Sequence, residues 1–356
     1  MRRFLAMLLV CCLMPALAGA LPATPYDPGL MLRYQTLTQP QRELFDLAYA
    51  AAAAGESTFR LPAGTTYDDT VAAMNAFMDD CPELCALARS YSVAYYQYDP
   101  QRAKAVTLNY AMPLSAQETL MQVASSLAAQ AEGDAYSREL FLHDALCAMT
   151  RYDLTGDAQA SAYGALVEGA AGCEGYARAL VLLCRLAGIP AGLVTGTADA
   201  EGDGSERHAW CILSVGGVIV QTDPTWDDQD GMGVNSRWYF NLSDAQMARD
   251  HQVDETLTLP ACTDSSLNWH AQTGKLVPAD PAQGEAVIQR ALRQFATEKT
   301  AVNLRFEDAQ MAAAFVDQLD DVWNQYNDAN ADAPFYGAYR AAISVSQGCV
   351  MILYGE

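Results

Sequence analysis

Three residues that could act together in nucleophilic catalysis follow one another along the chain: Cys173, His208 and Asp223. A thiol can attack a carbonyl carbon, and an imidazole can take the thiol proton and pass it to the leaving group. A carboxylate can fix the tautomer and the orientation of that imidazole. The order of these residue types predicts a site with a cysteine nucleophile.

Cys173 is expected in the first turn of a helix. It lies in the glycine-rich stretch 169–175, and an apolar pattern follows as far as Gly188-Ile189-Pro190, which is typical of a helix end. A helix N-terminus has unpaired N–H groups and a partial positive charge, and both favour the thiolate, which is the reactive form. Glycines beside the thiol let the backbone turn tightly and let a substrate approach.

His208 and Asp223 are expected on the two strands of one hairpin. Segments 207–214 and 217–223 have strand character and are separated by Gly216-Gly217, a two-residue turn signal, and segment 191–197 predicts a further strand. Counting outward from the turn pairs Val215 with Val218 and Leu213 with Val220. His208 then lies opposite about position 225, close enough to Asp223 for a diagonal contact.

These blocks resemble the bacterial transglutaminase-like superfamily. The resemblance is close over about 137–242 and looser over 243–270, and Trp238-Tyr239-Phe240 and His251 also look familiar from the family. The residues that carry it are Ser161-Ala-Tyr-Gly-Ala-Leu-Val-Glu-Gly169, Cys173-Glu-Gly-Tyr-Ala177, His208-Ala-Trp210 and Asp223-Pro-Thr-Trp-Asp227.

The resemblance implies a papain-like core, with helices packed on an antiparallel sheet. It implies that Cys173 is the nucleophile, His208 the base and Asp223 the orienting acid. The backbone N–H of Cys173 is the natural oxyanion donor. The family pattern adds Tyr163, Trp210 and Trp226 as candidates for oxyanion or substrate binding.

Other interpretations of these residues stay open. Cys173 could be half of a disulfide, His208 an ordinary strand histidine, and Asp223 the start of a turn.

The favoured function is that of a secreted cysteine enzyme that forms a thioester with a protein or peptide substrate. Such an enzyme would be a peptidase, an amidase or a protein-glutamine acyltransferase. Hydrolysis is favoured over amine transfer because no activating calcium site is evident. The alternative is a noncatalytic peptide- or glycan-binding protein.

The first 20 residues predict a secretory signal peptide. Arg2-Arg3 precedes an apolar run from Phe4 to Leu17, and the small residues of 16–20 suit cleavage. The run is too short to span a bilayer. We therefore expect an extracellular protein without membrane insertion, with cell-surface or cell-wall association left open.

The composition favours a globular protein with an acidic surface. Hydrophobic residues make up 51% and charged residues 18%, and the formal net charge is -22. Such a charge disfavours binding to nucleic acid.

Neither a cofactor nor a metal is expected, and His251 and His270 lack metal-site spacing. The His143-Asp144 pair is interpreted as structural, and Asp227, Asp228 and Asp230 as a solvated acidic turn.

The cysteines do not define a disulfide framework. Eight lie beyond the predicted signal peptide, and a bridge between Cys81 and Cys85 would be geometrically demanding. Cys147, Cys184 and Cys211 have apolar neighbours and are interpreted as core thiols.

The predicted fold class is α+β, with two small α/β modules that flank the core. Each flank has the order helix, strand, helix, strand, strand, which suggests a repeat. In the first flank these elements cover 41–54, 57–61, 67–86, 91–98 and 103–111, and in the second 283–298, 301–306, 308–326, 338–345 and 348–354. Core helices are expected over 115–131 and 137–151, and a mobile loop over 196–204. The predicted organisation is a signal peptide over 1–20, the N-terminal module over 21–112, the core over 113–280 and the C-terminal module over 281–356.

Overall fold

The computed structural model describes residues 28–199, 204–229 and 234–355. The predicted signal peptide over 1–20 lies outside these residues. The predicted mobile loop over 196–204 is wrong for residues 196–198, which belong to the strand Ala191–Ala198, and its residues 200–203 lie outside the described residues. The described chain mixes helices with mainly antiparallel sheets. Among the described helices, none has both the length and the apolar character needed to cross a bilayer.

The N-terminal unit is a three-stranded antiparallel sheet covered by helices that bury Phe45, Phe77 and Val106. The helix predicted over 67–86 ends earlier, at Asp80. The backbone of Cys81, the residue before Pro82, has non-helical dihedral angles. The elements are α1 (Leu32–Thr36), α2 (Gln39–Ala53), β1 (Thr58–Arg60), α3 (Tyr67–Asp80), β2 (Leu87–Tyr96) and β3 (Asp99–Tyr110).

The central unit places one buried helix, α6 (Cys173–Leu186), between two further helices and a four-stranded antiparallel sheet in the order β11-β6-β7-β8. The elements before α6 are α4 (Ser115–Ala128), α5 (Ala135–Met149), β4 (Arg151–Tyr152), a π-helical turn (Gly164–Glu168) and β5 (Ala170–Ala171). Those after it are β6 (Ala191–Ala198), β7 (Glu206–Val215), β8 (Val218–Thr222), α7 (Pro224–Asp227), β9 (Asp228–Gln229), β10 (Val234–Asn235), α8 (Asp244–Met247) and β11 (His251–Val253).

The register of the β7–β8 hairpin is the predicted one. Val215 pairs with Val218 and Leu213 with Val220. Gly216 and Gly217 both have positive φ, 60° and 89°, as a tight hairpin turn of this length requires. The β7–β8 ladder ends where Cys211 pairs with Thr222, so no residue of β8 lies opposite His208, whose strand partner is Gly196 of β6.

The C-terminal unit has a four-stranded sheet in the order β12-β13-β15-β14, in which only the β12–β13 pair is parallel. The predicted helix over 308–326 is two helices that meet at Gln318, whose backbone is not helical. The elements are α9 (Trp269–Gln272), β12 (Leu276–Val277), α10 (Pro281–Glu298), β13 (Val302–Phe306), α11 (Ala309–Asp317), α12 (Leu319–Ala329), β14 (Tyr339–Ser344) and β15 (Cys349–Tyr354).

The two outer units share the order of three of their strands. The N-terminal sheet has the order β1-β3-β2, and the C-terminal sheet contains the matching order β13-β15-β14 beside an additional strand, β12. The repeat of one module and the predicted domain boundaries stay predictions. The C-terminal sheet also packs on the central sheet, because Met351 joins Trp210 and Trp238 in one apolar cluster.

Candidate active site

Cys173 is the first residue of α6, as the sequence predicts. Gly172 caps the helix in an extended conformation, and the thiol is partly exposed. A Cβ on Gly172 would lie 2.6 Å from Leu154 Cδ2 and from Gln159 Oε1, so a larger residue before Cys173 would require both side chains to move. The eight cysteines among the described residues are free thiols, and the other seven are buried.

His208 lies on β7 and contacts both predicted partners. Its Nε2 atom lies 2.7 Å from Oδ2 of Asp223, and both side chains are buried. The Cys173 thiol shares a hydrogen bond with the same ring. Since Nε2 is engaged by the carboxylate, Nδ1 is the ring nitrogen left for the thiol. The structure therefore brings Cys173, His208 and Asp223 together.

The environment favours the charged form of the His208 ring. Burial lowers the pKa of His208, but the charge and hydrogen bond of Asp223 and the contact with Cys173 outweigh burial and raise the pKa to about 10. Burial also acts on Asp223, whose pKa is nevertheless held well below its usual range by His208 and His251. An imidazolium beside a partly exposed thiol is the form that stabilises a thiolate.

Both oxygens of Asp223 have partners, which fixes the orientation of the carboxylate. Oδ1 accepts hydrogen bonds from the backbone N–H groups of Thr225 and Trp226, at 2.9 and 3.3 Å, and so caps α7. Pro224 suits the first position of that helix because it has no N–H to satisfy. Oδ2 is left to face the histidines.

His251 is a neighbour of Asp223 that the sequence analysis did not assign to the site. Its Nε2 lies 3.2 Å from Asp223 Oδ2, and its Nδ1 lies 2.7 Å from Asp250 Oδ1. The ring belongs to β11, which pairs with β6 on the side away from β7. The resemblance to family members around His251 was the one signal in the sequence that could have found it.

His208, Asp223 and His251 are close enough to be considered as metal ligands, since their ligand atoms lie within 4.8 Å of one another. Both Nε2 atoms, however, face the same oxygen of Asp223 at hydrogen-bond distance. A zinc ion would need each ligand atom at about 2.0–2.2 Å and would have to replace these hydrogen bonds. The donor set fits a hydrogen-bonded group better than a metal centre.

The two tryptophan candidates occupy different positions. Trp210 is fully buried, its indole N–H donates to Gln221 Oε1 at 2.8 Å, and its ring stacks at 6.2 Å from the His208 ring. Burial places Trp210 behind His208, away from any surface that a substrate could reach. Trp226 is half-buried, and its ring centroid lies 5.1 Å from that of His208.

The tyrosine that interacts electrostatically with the thiol is Tyr152, not the one that the family pattern suggests. Tyr163 precedes the π-helical turn and packs against the central apolar cluster, and no described hydrogen bond joins it to Cys173. Tyr152 on β4 is half-exposed, and burial followed by the charges of Cys173, Glu206 and Asp223 raises its pKa. No local spacing marks Tyr152 in the sequence.

His143 lies in a separate buried group, in line with the structural interpretation. Its Nδ1 lies 3.3 Å from Asp144 Oδ1, and its Nε2 lies 3.1 Å from Asp227 Oδ2. Burial lowers the pKa of His143, but the two carboxylates raise it to about 9. The predicted solvated turn is wrong for Asp227, which is fully buried and accepts hydrogen bonds from Ser236 and the Tyr239 backbone. Asp230 lies outside the described residues.

Comparison with known proteins identifies a family match in the same region. The model of the transglutaminase-like superfamily matches residues 122–224, a segment that contains Cys173, His208 and Asp223. The resemblance predicted from the sequence motifs is thus confirmed for this segment. No curated protein matches the chain.

Two solved structures are similar over part of the chain. A putative cysteine protease from Cytophaga hutchinsonii is 20% identical with a TM-score of 0.27, over 38% of this chain and 61% of that chain. A putative protease from Parabacteroides distasonis is 13% identical with a TM-score of 0.22, over 36% of this chain and 29% of that chain. The chain therefore spans less than two thirds of the length of either protein.

Proposed function

We propose that this protein, whose residues 122–224 match the transglutaminase-like superfamily, is an exported cysteine enzyme that acts on peptide or carboxamide bonds through a thioester at Cys173. One observation carries the proposal. A partly exposed thiol at a helix N-terminus shares a hydrogen bond with His208, whose other ring nitrogen faces the buried carboxylate of Asp223 at 2.7 Å.

Each of the three residues has a defined part in the proposed reaction. The Cys173 sulfur attacks the carbonyl carbon, and the His208 imidazolium gives its proton to the leaving amine as the carbon–nitrogen bond breaks. The backbone N–H of Cys173 donates to the oxyanion in the proposed reaction. Asp223 stays ionised, keeps the ring oriented and stabilises its positive charge.

The second half of the reaction regenerates the Cys173 thiolate and the His208 imidazolium. Water or an amine attacks the thioester carbonyl, His208 takes up the proton of the attacking group, and the sulfur leaves as thiolate. We favour water as the acceptor, because the chain has no EF-hand calcium loop of the kind that would point to calcium-activated cross-linking. The acceptor decides between a peptidase or amidase and an acyltransferase.

The proposed compartment and substrate class rest on the sequence. The basic, apolar and small-residue pattern of 1–20 supports export. We propose a protein or peptide substrate outside the cell. We also propose that each outer unit is a copy of the same small module and stabilises the central unit. The two units share the order of three strands, and both pack on the central unit.

Alkylation of the thiols tests the proposed site without knowledge of the substrate. Burial raises the pKa of the seven other described thiols, so iodoacetamide near pH 6 should label Cys173 first. Cys173→Ala should remove the fast phase. Slow and uniform labelling of the wild-type protein would instead support the noncatalytic alternative.

A peptide library tests the reaction and its acceptor. The wild-type protein is incubated with the library, with and without a labelled amine, and compared with Cys173→Ala by mass spectrometry. Cleavage products without amine incorporation identify a hydrolase, and incorporated label identifies an acyltransferase. If Cys173 is labelled fast but neither cleavage products nor incorporated amine are found, the result would count against an enzyme that acts on peptides.

A further inference from the structure

The buried group around Asp223 extends beyond the three residues of the proposed reaction. Asp223 faces His208 and His251 with the same oxygen, and His251 faces Asp250 with its other nitrogen, at 2.7 Å. Carboxylates and imidazoles thus alternate from His208 through Asp223 and His251 to Asp250. Each of these side chains is buried or nearly so.

The backbone brings β11 close enough for this contact. His251 pairs with Ala198 of β6. A Cβ on Gly196 would lie 2.0 Å from the Gln252 carbonyl oxygen and 2.8 Å from the Trp210 ring, so glycine is needed for β11 to reach its place. The ring of His251 is then enclosed by three aromatic rings, with centroid distances of 5.0 Å to Trp210, 4.5 Å to Trp226 and 5.5 Å to Tyr239.

The far end of the group is held by the C-terminal unit. Asp250 Oδ2 accepts hydrogen bonds from Ser346 Oγ at 2.7 Å and from Gln347 Nε2 at 2.9 Å, both in the turn between β14 and β15. Tyr239 Oη donates to the same oxygen at 3.0 Å. Gln347 is fully buried, although it belongs to a hairpin turn. A turn of the outer unit therefore contacts the support of Asp223.

The surrounding charges favour a protonated His251. Burial lowers the pKa of His251, and its contacts with Asp223 and Asp250 outweigh burial and raise it, while the nearby His208 lowers it again. The other described titratable groups that face His251 and Asp250 include Tyr239 beside His251, and Arg249 and Cys349 on the Asp250 side. A cation on the side of Asp223 away from His208 keeps the carboxylate ionised and fixed in place.

We propose that His251 is a positioning residue for the His208–Asp223 pair, and that Gln347 of the C-terminal unit holds it in place through Asp250. The proposal rests on the proposed function, because it concerns the same thiol. The C-terminal unit then contributes to the site, because the β14–β15 turn holds Asp250, Asp250 holds His251, and His251 contacts the Asp223 carboxylate that orients His208.

His251→Gln tests the first half. A glutamine amide can still donate to Asp223 but carries no charge. We expect the iodoacetamide labelling rate of Cys173 at pH 6 to fall about tenfold, the lower end of the loss that follows when the hydrogen-bonded partner of a metal-ligating side chain is removed. The pH of half-maximal labelling should move upward. An unchanged midpoint in a folded variant would overturn the proposal.

Gln347→Ala tests the second half, with Val345→Ala as a matched control because Val345 is an exposed residue of the same turn. Gln347→Ala should lower the rate at pH 6 about twofold to threefold, and Val345→Ala should leave it unchanged. If Gln347 acts through His251, the double variant should be no slower than His251→Gln alone. Additive losses, or no loss in Gln347→Ala, would contradict the proposed connection.

The design separates this proposal from the proposed function. If the wild-type protein shows no fast phase at Cys173, the proposed function fails before any variant is compared. If the fast phase is present and the two variants keep its rate and midpoint, the proposed function stands and the positioning role fails. Far-ultraviolet circular dichroism and thermal melting identify a variant that has unfolded, which would label all of its thiols.

Discussion

Asp223 presents Oδ2 to His208 at 2.7 Å and uses Oδ1 for the backbone N–H groups of the following turn. One buried carboxylate thus orients the imidazole and begins a helix at the same time. The helix cap fixes the angle at which the remaining oxygen meets the ring, so the strand and the turn that follows it act as one positioning unit.

Asp223→Asn should nearly abolish reactivity while preserving the fold. The amide keeps an oxygen for the helix cap but loses the charge that raises the pKa of His208 to about 10. In a serine protease the corresponding change lowers kcat about 10⁴-fold, so we expect a loss of about 10³-fold or more in turnover of any peptide substrate. Asp332→Asn, at an exposed carboxylate of the C-terminal unit, is the control. Wild-type labelling at pH 6 in Asp223→Asn would refute the role of the carboxylate.

Stability should fall as the pH rises from about 6.5 towards 9. The carboxylates facing His143 outweigh its burial and raise its pKa from the ordinary value of 6.5 to about 9, so the folded state binds more protons than the unfolded state within this window. The stabilisation from His143 is complete below about pH 6.5 and is lost as the pH passes through about 9. His208 acts in the same direction, with its pKa at about 10.

Thermal melting between pH 6 and 9 measures this dependence. His143→Gln should lower Tm at pH 6 and flatten the decline with pH, because one of the groups that takes up protons on folding has been removed. A wild-type Tm that stays level or rises between pH 6.5 and 9 would show that these imidazoles are neutral in the folded protein.

Local signals in the sequence were sufficient for the parts of the site that lie within one element or one hairpin. Gly172 and Pro190 mark the two ends of the Cys173 helix, and Gly216-Gly217 sets the register that brings His208 near Asp223. A turn of two glycines allows few strand registers, and the residue pairs of each register follow by counting outward from the turn.

The contacts that the sequence did not predict join distant elements. His251 reaches Asp223 across 28 residues of chain, and Gln347 reaches Asp250 across 97. No periodic pattern in the sequence indicates either contact, because each depends on how separate elements of the fold pack together. Asp227 was expected in solvent for the same reason, since its partners Ser236 and Tyr239 come from the segment after the next strand pair.

Arg178 should contribute to stability by joining α6 to the N-terminal unit. The guanidinium is buried, donates to Glu174 Oε1 at 2.9 Å and reaches the Asp79 backbone carbonyl at 3.2 Å. Arg178→Met should lower the free energy of unfolding by about 2 to 3 kcal/mol, because polar partners are left unpaired at a buried contact. Arg293→Met removes an exposed pair with Asp332 and should change little.

Urea denaturation of the two variants measures the comparison. Because Glu174 follows Cys173 directly, the labelling rate of Cys173 should be recorded in both proteins as well. Equal losses in Arg178→Met and Arg293→Met would show that the N-terminal unit does not depend on this arginine for its packing on α6.

Gly196→Ala should damage both the sheet and the site. The added methyl group would lie 2.0 Å from the Gln252 carbonyl oxygen, which is backbone and cannot turn away, so β11 must move off β6. Overpacking of this kind costs about 1 to 3 kcal/mol. The displaced strand carries His251, so the labelling rate of Cys173 at pH 6 should fall together with Tm. Gly156→Ala is the matched control, since nothing lies within 4 Å of a Cβ there. A Gly196→Ala protein that melts and labels like the Gly156→Ala protein would mean that the close approach of β11 to β6 is not what places His251 against Asp223.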